Sequence, residues 1–292
     1  MSQLTQHWTL DPFLAILAVV AAIHARGLAL RLSAISRSRR PVRPWVGQAL
    51  LWWAGMLVLA LAVASPVDYW AGSYLTAHVV QHLLLAFVAP VLIVLGAPWL
   101  PILRGLPRPV ARAYGRAVRR LRSPRPGGPG WDAAAALVRL GARPWTAVVA
   151  FNAVMVFWHL PGPFDLGEAN ESVHIWLEHG TFFGLGVAMW MQVVGSYPFR
   201  PVLPPPGRLL VILATNATMV VIAMTLVMFT HNLYPWYGEV LGAAAQSTDP
   251  QVGGGVLWVC GEVTFLPAIL VIVSRWMDGG GDLRPDLRIV RA

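Results

Sequence analysis

The segment His78-Val79-Val80-Gln81-His82 places two imidazoles four residues apart, so on a helix they share one face. Imidazole suits zinc, copper, iron and nickel. His159 stands between Trp158 and Leu160-Pro161, and Glu178 and His179 are adjacent. Met224, Met228 and His231 recur at i, i+4 and i+7, which puts two thioethers and an imidazole on one stripe. Thioether with imidazole suits Cu(I). The candidate metal ligands are therefore His78, His82, His159, His179, His231 and Met228. Gln81, Glu178 and Glu262 are candidate supporting groups that orient an imidazole or compensate charge. At 3.6 residues per turn His179 lies about 140° round from His174. His174 is therefore expected to pair with Glu178 or face water, with His179 pointing inward.

Several other chemistries lack their parts. The His-x-x-x-His spacing occurs in zinc proteases, where Glu follows the first His as general base. Here that position is Val79. No hydrolase, kinase or redox-enzyme motif is present, and the chain is read as a non-enzyme. The single cysteine, Cys260, excludes an internal disulfide and any Cys-x-x-Cys site. Two histidines on one helix face cannot bind opposite sides of one haem iron. Histidines on facing helices can, for instance His82 with His179. A haem-binding cytochrome and a metal-free scaffold both stay open on the residues alone.

The elements that must hold these side chains are apolar. The chain is 57% hydrophobic and 12% charged, against about 25% charged in a soluble domain. A spanning helix needs about 20 apolar residues. Seven runs qualify: Pro12–Leu30, Val46–Ser65, Leu75–Leu95, Pro144–Leu160, Val173–Gly195, Arg208–Phe229 and Gly253–Arg275. The expected fold class is all-α: a polytopic membrane protein of seven transmembrane helices, forming one domain over residues 1–292.

Charge supplies the orientation. All 22 basic residues are arginine. They crowd the gaps after the first, third and fifth runs and the tail after the seventh. The remaining gaps and the N-terminal tail carry none. Cytoplasmic loops hold the Lys/Arg excess, so the N-terminus is expected outside and the C-terminus inside. The initial segment lacks a basic region and an Ala-x-Ala site, and reads as a retained span. The candidate ligands then gather towards the outer face. Within the arginine-rich cytoplasmic loop 99–143, Val110, Ala113, Tyr114, Ala117, Val118 and Leu121 recur at helical spacing between arginines. That pattern suits a helix lying on anionic lipid, so the partner of the +9 charge is the bilayer and not nucleic acid. Asp165, Glu168 and Glu171 in an outer gap read as a solvated acidic loop. Glu262 is expected to face inward, because a lipid-facing carboxylate is costly.

Taken together, the ordered motifs resemble the polytopic CtaG family of cytochrome c oxidase assembly factors, in the branch associated with caa-type oxidases. The resemblance begins at Trp8 with Asp11-Pro12. It is densest from Ser65-Pro66 through His78-Val79-Val80-Gln81-His82-Leu83-Leu84-Leu85 to Ala89-Pro90 and Leu95-Gly96-Ala97-Pro98. It continues through Trp158-His159-Leu160-Pro161, Glu178-His179, Leu233-Tyr234-Pro235 with Tyr237, and the Gly-rich approach to Trp258. The resemblance implies a multi-pass protein of the bacterial cytoplasmic membrane that supports copper insertion into oxidase subunit I. It points to His78, His82, His159 and His179 as copper-handling residues, with Cu(I) as a transient cargo. An extracytoplasmic copper carrier is the donor partner this would need.

The orientation is directly testable. Alkaline phosphatase, which needs an oxidising exterior to form its disulfides, should be inactive when fused after Arg122 and active when fused after Gly167. The opposite pattern would invert the expected topology.

Overall fold

The computed structural model describes residues 7–8, 12–37, 43–122, 128–141, 143–228, 233–237 and 248–278. Every extended element among them is helical. In chain order these are α1 (Pro12–Arg37), α2 (Arg43–Ala64), α3 (Pro66–Ala71), α4 (Leu75–Leu83), a π-helical segment π1 (Leu84–Val88), α5 (Ala89–Gly96), α6 (Trp99–Gly105), α7 (Arg108–Arg122) and α8 (Pro129–Gly141). There follow α9 (Pro144–Trp158), α10 (Pro161–Ala169), a second π segment π2 (Val173–His179), α11 (Gly180–Val193), α12 (Pro205–Met228) and α13 (Thr248–Met277). Proline stands in the first turn of α3, α9 and α10. Its absent N–H would be unpaired there anyway, so it starts a helix at no hydrogen-bond cost.

The protein is a multi-pass membrane chain. Among the described residues, five helical stretches are long and apolar enough to cross a bilayer: Pro12–Ile35, Trp45–Ala64, Leu75–Gly96, Pro205–Met228 and Thr248–Met277. A sixth is added if α8 and α9, bent by 82° at their junction, count as one span. The expected fourth and fifth spans are the ones that differ. α9 has 15 residues and is closed by His159 and Pro161. The fifth begins in π2, where His174, Glu178 and His179 replace apolar residues, and its α-helical part has 14 residues.

The stretch Leu75–Gly96 is the central one. Its most apolar window is 67% buried within the protein, against 17% for the first span. Phe87 of π1 meets Phe151 of α9 and Phe265 of α13 edge to face, at ring centroids 5.4 Å apart in both cases. Such contacts add to the burial of the rings. Gly186 lets α11 lie against π1, since a Cβ there would collide with the Ala86 carbonyl. Close backbone approach at small residues is how helices associate where lipid removes the hydrophobic drive.

The N-terminus of α4, the helix that carries His78 and His82, is held from 174 residues away. Asp249 in the first turn of α13 accepts from Leu75 N at 2.6 Å and Thr76 N at 3.1 Å, while Thr76 Oγ1 donates to the Asp249 carbonyl at 3.0 Å. Tyr74, at the cap position itself, supplies no side-chain bond. A carboxylate here satisfies two orphan N–H groups and meets the positive end of the helix dipole. Asp249→Ala should therefore lower stability by about 1–2 kcal/mol, read as a lower thermal midpoint of detergent-purified protein. Asp249→Asn, which keeps one acceptor oxygen, should lose less.

Candidate metal centre

Four elements converge at the arginine-poor end of the bundle: α4, the α9–α10 junction, α10 and π2. His78 and His82 face the same way from α4, with ring centroids 4.0 Å apart. Glu178 of π2 lies between them. Its Oε1 is 3.7 Å from His78 Nε2 and 3.5 Å from His82 Nε2. The ligand atoms of His78, His82 and Glu178 all lie within 4.8 Å of one another, and all three residues are buried.

The cluster extends beyond this triad. His78 Nδ1 is 3.0 Å from Glu168 Oε1. His174 Nδ1 is 2.9 Å from Glu178 Oε2 and 3.6 Å from Glu168 Oε1. His179 is buried, with its ring 4.1 Å from that of His174 and 5.8 Å from that of His82. The His159 ring is 6.2 Å from the His82 ring. His159 Nδ1 lies 2.6 Å from the Met155 carbonyl. A carbonyl can only accept, so Nδ1 carries the proton and Nε2 keeps its lone pair. Phe164 and Phe182 wall the cluster, 4.9 Å from His78 and 4.5 Å from His82.

Both ring nitrogens of His78, His82 and His179, and the carboxylate oxygens Glu168 Oε1 and Glu178 Oε1, are buried without a hydrogen bond of good geometry. Buried polar atoms are ordinarily paired, and each exception calls for an explanation. Converging imidazole nitrogens and a carboxylate oxygen are a ligand set for a transition-metal ion. The donors gathered here are nitrogen and oxygen.

The structure sorts the residues expected from sequence. It brings together His78, His82, His159 and His179. It moves Glu178 from a supporting place to the middle of the cluster. Gln81 does not orient an imidazole: its Nε2 donates to Asp68 Oδ1 at 2.7 Å and to the Ala62 carbonyl at 3.0 Å, towards α2 and α3. Met228 is 75% exposed at the end of α12, so its thioether is not part of the cluster. Glu262 is not inward-facing. It is exposed at the α12–α13 seam and accepts from Asn216 Nδ2 at 2.9 Å, because Gly261 takes the inward position against Met219. His231 lies outside the described residues.

Two residues join that the sequence reading set aside. A π-helix closes i→i+5 bonds instead of i→i−4, so π2 aligns residues five apart. His174 and His179 thus meet where an α-helix would separate them. Glu168 is not on a solvated loop: α10 folds over the cluster, and the Glu168 side chain is 5% exposed. The signal was its company. Phe164 and Gly167 are buried on the same short helix, and apolar residues in a gap mark a packed segment.

A second strap closes the same end. Tyr234 donates to the His159 carbonyl at 2.9 Å and stacks on Phe164. Tyr237 donates to the Ala71 carbonyl at 2.6 Å, and Trp236 Nε1 to the Gly72 carbonyl at 3.2 Å. Burial, with Asp165 and Glu178 nearby, raises the Tyr234 hydroxyl above its ordinary range. Burial and then Glu168, Asp249 and Glu178 do the same for Tyr237. Both therefore stay protonated donors at neutral pH.

A family model described as cytochrome c oxidase caa3 assembly factor, Caa3_CtaG, matches residues 29–279. The chain belongs to the CtaG family. By that description the family is one of assembly factors. This CtaG chain is 25% identical over 288 residues to an uncharacterized protein of Mycobacterium bovis and to one of Mycobacterium tuberculosis. It is 22% identical over 291 residues to an uncharacterized protein of Mycobacterium leprae. Each alignment covers 92% of this chain and 39% of the relative, so the chain spans under half the length of these relatives. No solved structure matches.

Gly167 tests how Glu178 is placed. A Cβ there would stand 2.7 Å from Glu178 Oε2. Gly167→Val should push the carboxylate off His78 and His82. With Zn(II) as a probe of the cluster, affinity should then fall by about 10–100-fold, measured by competition with a chromophoric chelator. Unchanged affinity would remove Glu178 from the ligand set.

Proposed function

We propose that this CtaG chain holds copper in the His78–His82–Glu178 cluster and supports its insertion into subunit I of a haem–copper cytochrome c oxidase. The observation that carries the reading is a buried set of imidazole nitrogens converging with a carboxylate on unpaired oxygen and nitrogen atoms. Membership of an assembly-factor family supports the role in oxidase maturation. Copper is the cargo, not a resident cofactor. The site is that of a bacterial cytoplasmic-membrane protein with seven spans, α9 and π2–α11 being the fourth and fifth, and with the cluster towards the outside. An extracytoplasmic carrier is the proposed donor.

The residues divide the work. His78, His82 and Glu178 bind. Glu168 Oε1, 3.0 Å from His78 Nδ1, holds the ring with Nε2 towards the ion. The Met155 carbonyl sets the His159 tautomer. Phe164 and Phe182 exclude water from one side. With the Met228 thioether on the surface, the nitrogen and oxygen donors accept Cu(II) as well as Cu(I). A site without thiolate releases its ion more readily, as delivery needs. Protons compete with the ion for imidazole, so affinity falls as pH falls.

One observation favours a metal-free scaffold instead. The imidazoles and carboxylates pair with one another, as at His174–Glu178, and such a network can be purely structural. A haem between His82 and His179 fits poorly, because Glu178, His159 and Phe182 crowd the same rings.

Copper measured on the membrane-purified chain separates these readings. Wild type should retain copper through desalting, and His78→Ala/His82→Ala should retain none above background. Copper-free wild type that still supports oxidase maturation would leave the scaffold. Equal copper in both proteins would place the ion elsewhere.

A further inference from the structure

We propose that the cluster holds two metal ions, with the Glu178 carboxylate bridging them. This rests on the reading of the cluster as a copper-holding site and adds a second position to it. The first position is that of His78 Nε2, His82 Nε2 and Glu178 Oε1. The second is that of His174 Nδ1, Glu178 Oε2 and Glu168 Oε1, with His179 beside it.

The division of Glu178 is the main ground. Its two oxygens face different partners: Oε1 faces the α4 imidazoles, and Oε2 lies 2.9 Å from His174 Nδ1. One ion at Oε1 would use one half of the carboxylate and leave the other half with its own set of donors. Carboxylates that present separate oxygens to separate ligand sets are suited to paired ions, which in two-metal sites stand about 3.5–4 Å apart.

Unused donors are the second ground. His179 is buried with both ring nitrogens lacking a hydrogen-bond partner, and Glu168 Oε1 is buried without one of good geometry. An ion at the first position satisfies neither. The second position lies nearer to both: Glu168 Oε1 is 3.6 Å from His174 Nδ1, and the His179 ring is 4.1 Å from the His174 ring. The backbone supports this. π2 turns His174 and His179 to the same side, and π segments inside helices are frequent at functional sites.

Charge is the third ground. The cluster holds two buried carboxylates, Glu168 and Glu178. A cation beside each carboxylate suits a buried site, where a charge with no counter-charge nearby is costly. The ligand class is thus a late first-row ion bound by nitrogen and oxygen, and the second position, with two carboxylate oxygens, is the harder of the two.

The test uses the full chain in detergent. It is loaded anaerobically with Cu(I), desalted and assayed for copper per chain. Wild type should hold two ions, and His174→Ala and Glu168→Gln should each hold one. Glu168→Gln is nearly isosteric, so it covers the case in which His174→Ala fails to fold. Loaded instead with Cu(II), wild type should give a spin-coupled resonance, and Glu168→Gln an isolated mononuclear signal. A single ion in wild type, unchanged in both variants and magnetically isolated, would overturn the two-ion site while leaving the one-ion reading intact. No ion in wild type would overturn both.

Discussion

A carboxylate buried in an apolar bundle must be compensated where it stands, and Glu178 sets that condition for everything around it. It is 1% exposed and has imidazoles on both sides. Water cannot share its charge, and the energetic cost of an uncompensated buried ion is several kcal/mol, on the order of 3–5. His78, His82 and His174 therefore cannot be arranged independently of it. Gly167 has no side chain because the carboxylate occupies the space a Cβ would need. α10 folds inward to bring Glu168 against His78 and Phe164 against the rings.

The backbone bends to that requirement in two places. π1 begins two residues after His82 and π2 contains His174, Glu178 and His179. Each departs from α geometry where the central helices carry polar side chains or pack most closely, as Gly186 does on Ala86. The end of α4 is then pinned by Asp249 from the last helix. The position of two imidazoles thus depends on a carboxylate far along the chain. A centre assembled this way is held by tertiary contacts at every side, with the Tyr234–Tyr237 strap closing it.

Much of the fold was legible because lipid imposes a simple rule. Long apolar runs must be helices, since no water is present to satisfy an open backbone. Five of the expected spans appear as continuous helices on that ground. The two that do not are those interrupted by the chemistry, His159-Leu160-Pro161 in one and the π2 histidines and Glu178 in the other. The site was legible in its α4 pair, where His78 and His82 share a face by helix period alone. Met228 and Glu262 stand apart from the cluster, both exposed. Both have the right spacing or chemistry on their own helices, yet each helix turns that face outward.

What the sequence determined by itself was periodic or compositional: apolar length, arginine asymmetry, and the i, i+4 histidines. These follow from local geometry and from the solvent, and need no knowledge of neighbouring helices. The tertiary structure alone decided which helix faces meet. It brought Glu168 in from a gap, placed Glu178 between imidazoles from another helix, and used a π turn to align His174 with His179. The physical reason is that a helix period states which residues share a side. Only packing against other helices states which side is inward, and a single extra residue in a turn rotates the answer.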